Sequence, residues 1–197
     1  MKRNTSVGLL MMAVILAIFA GTCAVQYNSL VRSSETVDGA WSQVENVLQR
    51  RADLIPNLVE TVKGYASHER AVFTEVANAR SRLLAAQTPA EAEAGQQGLN
   101  AALGRLLVIA ERYPELKADQ SFIRLQDELA GTENRIAVER MRYNDTVRAY
   151  NTRIRRFPTN VIASVAGFDR KAYFEAAPGS REVPRVQFDR GETSSRR

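Results

Sequence analysis

Side chains able to do covalent or metal chemistry are scarce in this chain. His68 is the lone histidine, standing beside Glu69, and Cys23 is the lone cysteine. An imidazole and an adjacent carboxylate leave a helix on different faces, so they make a poor metal pair, and surface capping is the simpler role. A single thiol closes no intramolecular disulfide. The other polar groups close to apolar stripes are Asp53, Asn57, Asn144 and Asn151. Nothing near them supplies a nucleophile with a base and an orienting group, so no catalytic residue, cofactor or metal ligand is assigned. Short polar groups that are buried must pair, and the expectation is a set of interhelical hydrogen bonds from these four that fixes helix register. Asp53 with Arg50 or Arg51, and Glu60 with Lys63 or Tyr65, read as ordinary exposed pairs.

Charge is the other chemical resource. The 197 residues are 45% apolar and 25% charged, the balance of a chain that buries a core. The net charge of +5 is uneven: residues 140–197 carry 13 basic and 6 acidic side chains, residues 1–139 carry 14 and 16. Such a bias suits nucleic acid, anionic lipid or an acidic protein, and it also suits a merely solvated surface. Only the elements that carry these arginines can choose.

The first element is apolar. Between Arg3 and Arg32 there is no charged residue, and Val7 to Val25 is almost wholly hydrophobic. Nineteen residues of helix cover roughly 28 Å, close to the hydrocarbon thickness of a bilayer. A cleaved signal peptide shares the basic start, but its apolar core is usually shorter, so an uncleaved anchor over residues 1–27 is the favoured reading. Ala20 and Thr22 suit lipid attachment at Cys23 badly. Lys2 and Arg3 precede the span while Arg32 is offset by Glu35 and Asp38, which keeps the N-terminus in the cytoplasm and sends the rest outward. Arg50 and Arg51 leave the reverse orientation open.

Residues 28–158 read as a helical bundle. Val37, Trp41, Val44, Leu48, Ile55, Leu58, Val59 and Val62 recur at steps of three and four, predicting a helix over about 33–65 with a kink at Pro56. Gly64, with Ser67 as an N-cap, restarts a helix over 67–86; one continuous helix to 86 is the competing expectation. Thr88-Pro89-Ala90-Glu91 opens a third over 89–112, though Gly95 and Gly98 weaken it. The fourth, over 119–156, carries Phe122, Leu125, Leu129, Ile136, Tyr143, Val147, Tyr150 and Ile154 and closes at Phe157-Pro158. No segment alternates like a strand. The fold class is therefore all-α: a transmembrane helix followed by an antiparallel up-and-down four-helix bundle.

That connectivity returns the fourth helix to the anchor end. Arg148, Arg153, Arg155 and Arg156, with Arg170 and Lys171, are then expected on lipid headgroups. The segment 159–174 would lie at the membrane-proximal end, with Phe157, Val161, Ile162, Val165 and Phe168 at the interface. The plainer alternative is that these apolar residues only cover the end of the bundle.

The run Arg51-Ala52-Asp53-Leu54-Ile55-Pro56-Asn57-Leu58-Val59-Glu60-Thr61-Val62-Lys63-Gly64-Tyr65-Ala66-Ser67-His68-Glu69 resembles the LemA family, whose members share a run of this form. A second match comes from Asn134 to Arg140, then Tyr143-Asn144, Val147, Tyr150-Asn151, Ile154, Phe157-Pro158 and Ala166-Gly167-Phe168, preceded by Tyr27 to Val31 and Ala40-Trp41. The resemblance spans roughly residues 27–174. It implies a bacterial membrane protein with an N-terminal anchor and a four-helix bundle, and no established catalytic residues. It also implies neighbouring membrane partners, among them HtpX-like metalloproteases and TPM-domain proteins. Residues 175–197 fall outside the resemblance and read as a flexible tail.

The leading functional expectation is a non-enzymatic, membrane-anchored scaffold whose partners are the bilayer, other membrane proteins and a second copy of the chain. The competing readings are an enzyme, or a regulator of a membrane protease, with its site inside the bundle. Nucleic-acid binding is a third, and it requires a cytoplasmic bundle and is not the expectation for this chain.

Overall fold

An uninterrupted α-helix, α1 (Lys2–Tyr65), opens the computed structural model, which describes residues 2–175 and the side chains from residue 8 onward. At 1.5 Å per residue its 64 residues extend about 96 Å. Nothing in residues 26–34 supplies a glycine or proline to end it, so the apolar anchor and the first bundle helix are one rod. None of residues 8–25 is buried, although this stretch is the most apolar in the chain, with a mean hydropathy of 2.4. A helix that is hydrophobic all round and uncovered by protein is long and apolar enough to cross a bilayer.

Beyond it come α2 (Arg70–Leu84), α3 (Pro89–Ala110), the short α4 (Pro114–Lys117), α5 (Gln120–Arg153) and α6 (Thr159–Ala166). Their ends follow from local chemistry. Thr88 caps α3 by accepting from the Glu91 amide at 3.2 Å, with Pro89 at the first helical position. Asp119 caps α5 through Oδ1, which accepts from the Ser121 and Phe122 amides at 2.8 and 2.9 Å. The second helix starts later than Ser67: Glu69 occupies the cap position without capping and its carboxylate pairs with Arg112 at 2.6 Å. Pro56 does not break α1.

The long helices pack as two antiparallel couples, α1 with α5 and α2 with α3, laid against one another. Buried Leu30, Val37, Val44, Leu48, Ile55, Leu58 and Val62 face Phe122, Leu125, Leu129, Ile136, Tyr143 and Val147 in one core. The α1–α5 register is uniform along its length. Tyr65 meets Asp119, Arg51 meets Glu133, Trp41 meets Tyr143, and Arg153 reaches the Ser29 carbonyl, so each step down one helix is a step up the other. In the other couple Gly95 lets the backbones close: a Cβ there would stand 2.9 Å from the Leu83 Cα. Among the described residues there is no strand.

Candidate functional site

The most deeply buried charge among the described residues is one expected on the surface. Arg51 is 5% exposed, because it lies on the buried stripe of α1 between Leu48 and Ile55. Its guanidinium pairs with Glu133 of α5 and donates to the Asn100 side chain of α3, while Gln96 Nε2 donates to the same carboxylate at 3.0 Å. Burial pulls the guanidinium below its ordinary pKa. A second pair, Arg140 with Glu93, ties α5 to α3 nearby. Three helices are thus cross-linked through charge, and the register network expected of Asp53 and Asn57 is built from other residues.

Those two point outward. Asn57 is exposed, and Asp53 accepts from Gln49 Nε2 at 2.8 Å with Arg80 at 3.7 Å. Arg80 has a more specific task. Pro56 lacks the N–H that would bond the Ala52 carbonyl, and Arg80 Nε of α2 donates to that oxygen at 2.7 Å. The helix therefore passes through the proline with its orphan acceptor satisfied from the neighbouring helix.

Asn144 and Asn151 do a different job from the interhelical bonding expected of them. Gly167, with φ of 75°, ends α6 in the left-handed conformation and turns the chain back along the bundle. Residues 168–175 then run extended across α1 and α5. Asn151 donates to the Lys171 carbonyl at 2.9 Å and accepts from its amide at 3.0 Å; Asn144 does the same with Phe174, at 3.0 and 2.9 Å. The Tyr143 and Tyr150 hydroxyls donate to the Ala172 and Asp169 carbonyls, both at 3.0 Å. Burial raises both phenol pKa values. The spacing is geometrically matched. Seven helical residues rise about 10.5 Å, and three extended residues cover about 10 Å, so one Tyr-Asn pair per two turns meets the strap in register. Phe174 completes the closure, with its ring stacked on Trp41 at 5.8 Å and under the Arg140 guanidinium at 4.8 Å.

The strap also separates the basic residues that were expected together. Lys171 pairs with Asp38 at 2.9 Å, and Asp38 lies twelve residues, or about 18 Å, up α1 from Gln26. Arg170 is exposed beside it on the strap. Arg153, Arg155 and Arg156 stand at the anchor end, and Arg148, opposite about residue 36 of α1, lines the groove that leads up from it. Arg148 holds Asp145, and Arg153 Nη1 donates to the Ser29 carbonyl at 3.2 Å. Gln26, Ser29, Arg148, Arg153, Arg156 and Phe157 line a shallow groove there of about 660 Å³. Four further grooves among the described residues are also open, three of them between helices and one between α3 and the strap. His68 is exposed in the α1–α2 turn, and Cys23 is half-buried. Of the tail expected over 175–197, Glu175 lies on the strap, its carbonyl accepting from Arg140 Nη2 at 3.2 Å, and the rest, like the side chains of Lys2 and Arg3, lies outside the described residues.

The architecture defines a class: a helical bundle continuous with an apolar N-terminal helix, polar residues knitting its interior and a strap closing one face. The chain belongs to the LemA family, whose profile matches residues 40–188. It is similar to magnetosome protein MamQ 2 of Paramagnetospirillum magneticum, 28% identical over 186 residues that cover 81% of this chain and 68% of that protein. Magnetosome protein MamQ of Magnetospirillum gryphiswaldense is 28% identical over 189 residues, covering 83% and 70%. Protein LemA of Metamycoplasma hominis is 25% identical over 169 residues, covering 84% and 74%.

Proposed function

We propose that this chain is a non-enzymatic, membrane-anchored module that binds or organises other membrane proteins, held with its N-terminus in the cytoplasm and its bundle on the outer face of the cytoplasmic membrane. The observation that carries the reading is the continuity of α1. The same helix supplies the exposed apolar stretch and the first wall of the bundle core, so the orientation of the bundle is tied to that of the anchor. A stiff stalk presents its flanks at fixed heights, which suits docking of neighbours better than a flexible tether does. The interior supports the same reading. Arg51 is paired with Glu133 and Arg140 with Glu93, and the grooves described above are open rather than enclosed. The MamQ relatives are named for a cellular structure rather than for a reaction.

The partners proposed are other membrane proteins, with HtpX-like metalloproteases and TPM-domain proteins first among them by family resemblance, and a second copy of the chain. Photo-crosslinkers placed at the exposed Val108 and Met141, 68% and 59% accessible, test this in native membranes. Discrete adducts with membrane proteins are the expected result. An uncrosslinked monomer at both positions would count against the scaffold role. A reporter fused to the C-terminus tests sidedness, and activity in the cytoplasm would reverse the topology.

A further inference from the structure

One short helix is apolar on two opposite faces. Thr159 and Ala163 of α6 are buried against the bundle, yet Val161 and Val165 are 55% and 87% exposed, and Phe157, in the turn that precedes the helix, is 84% exposed. The spacing of four puts Val161 and Val165 on one stripe of α6 pointing away from the protein, and Phe157 is exposed in the turn just before that helix. A helix whose second face is also hydrophobic has a second apolar environment to meet, and an apolar cluster flanked by charge marks an interaction surface.

Position says which environment. The Thr159 hydroxyl donates to Gln26 Oε1 at 3.4 Å, Tyr27 packs edge-on against Phe168 at 5.8 Å, and Arg153 reaches the Ser29 carbonyl. Gln26 directly follows Val25, where the wholly apolar stretch of α1 ends. Residues 26 to 29 lie within about 6 Å of that point along the axis, inside the headgroup zone in which interfacial helices rest. Arg155 and Arg156, both exposed and without an ion pair among the described residues, flank the stripe.

We infer that the corner from Arg155 to Val165 is a second membrane contact, seated on an anionic bilayer beside the exit of α1. Phe157, Val161 and Val165 enter the interface while Arg155 and Arg156 engage lipid phosphates. The inference rests on α1 spanning the bilayer. Of the six basic residues expected on headgroups, Lys171 is committed to Asp38, Arg148 to Asp145 and Arg153 to the Ser29 carbonyl, while Arg170 stands on the strap, between residues bonded to Tyr150 and Asn151.

The test uses the full chain in proteoliposomes, with Cys23→Ala and an environment-sensitive fluorophore on Val165→Cys. Bilayers are phosphatidylcholine alone or an equal mixture with phosphatidylglycerol. Quenching by spin labels on the lipid chains is compared with quenching by aqueous iodide. In the mixed bilayer the label is expected in lipid and shielded from iodide. Arg155→Gln with Arg156→Gln should lower its seated-to-free ratio by roughly twenty-fivefold, about fivefold per arginine near an anionic surface. Inorganic phosphate added to the buffer should leave the label in place, since a bilayer rather than a free anion is the ligand. Three results would each overturn the inference: a label open to iodide in the mixed bilayer, equal immersion in neutral lipid, or a label shielded from both quenchers, which would mean a protein covers the stripe. The same fluorophore on Leu16→Cys reports the anchor separately. Lipid quenching at 16 without any at 165 condemns the second contact alone; no lipid quenching at 16 condemns the spanning helix.

Discussion

Replacing Asn151 by alanine should loosen the strap as a unit. The side chain is 4% exposed and makes two hydrogen bonds to the Lys171 backbone, at 2.9 and 3.0 Å. A bond of this kind contributes about 1 kcal/mol net, so the strap loses about 2 kcal/mol of its hold. That corresponds to roughly a thirtyfold rise in its open population. The Lys171 amide loses its acceptor in the variant, so its own exchange is a trivial readout. The informative amide is that of Phe174, whose acceptor, Asn144 Oδ1, is untouched at 2.9 Å. Hydrogen exchange on the full chain in micelles should show the Phe174 amide exchanging about thirty times faster, while amides in the middle of α1, such as that of Val44, change little. Asn151→Asp keeps the acceptor and loses the donor, so it should lie between. If Phe174 exchanges at the parental rate in Asn151→Ala, the strap is held elsewhere and the matched Tyr-Asn register has no energetic meaning.

Other consequences can be checked by denaturation. Glu133→Leu leaves the buried Arg51 guanidinium with Asn100 alone and should cost about 2–4 kcal/mol, below the upper range for buried pairs because the Glu133 side chain is 43% exposed. Adding Arg51→Met should recover much of that loss, and strictly additive costs would mean the two charges do not interact. Arg80→Met should cost about 1–2 kcal/mol by stranding the Ala52 carbonyl, and markedly less beside Pro56→Ala, whose restored N–H satisfies that oxygen; equal costs in both backgrounds would refute the handover. The Asp119 carboxylate is held below its usual pKa, chiefly by the Phe122 amide and, against an opposing desolvation, by the Tyr65 hydroxyl and the Ser121 amide. A depressed folded pKa means its contribution is present above the unfolded value of about 3.9 and is lost as pH falls through the folded one. Asp119→Asn should flatten that acid-side loss, and an unchanged acid limb would show that other carboxylates govern it.

Much of the helix pattern can be read from residue order, because apolar steps of three and four and the caps at Thr88 and Asp119 act locally. The all-α class and the apolar N-terminal helix follow from them. The fusion of anchor and bundle into one rod was less visible, since residues 26–34 are polar enough to resemble a linker; what mattered was that no residue there breaks a helix. The polar interior was misread because Asp53 and Asn57 drew attention by type, whereas Arg51 occupies the buried register and long basic side chains are normally given to the surface. Its position between Leu48 and Ile55 was the available signal. The strap has no periodicity at all. Its only trace is on its partner, in the Tyr-Asn pairs repeated seven residues apart at 143–144 and 150–151, whose amides match a peptide backbone as donor and acceptor together.

In the proposed arrangement one helix carries the chain out of the bilayer and into the bundle without a joint. Spin labels on Ala20→Cys and Asn46→Cys, in a Cys23→Ala background, lie twenty-six helical residues apart. In proteoliposomes, pulsed electron resonance should give a single narrow distance distribution near 39 Å, the value set by a rise of 1.5 Å per residue. A broad or markedly shorter distribution would mean that anchor and bundle are joined by a hinge, and the stiff-stalk account would fall with it.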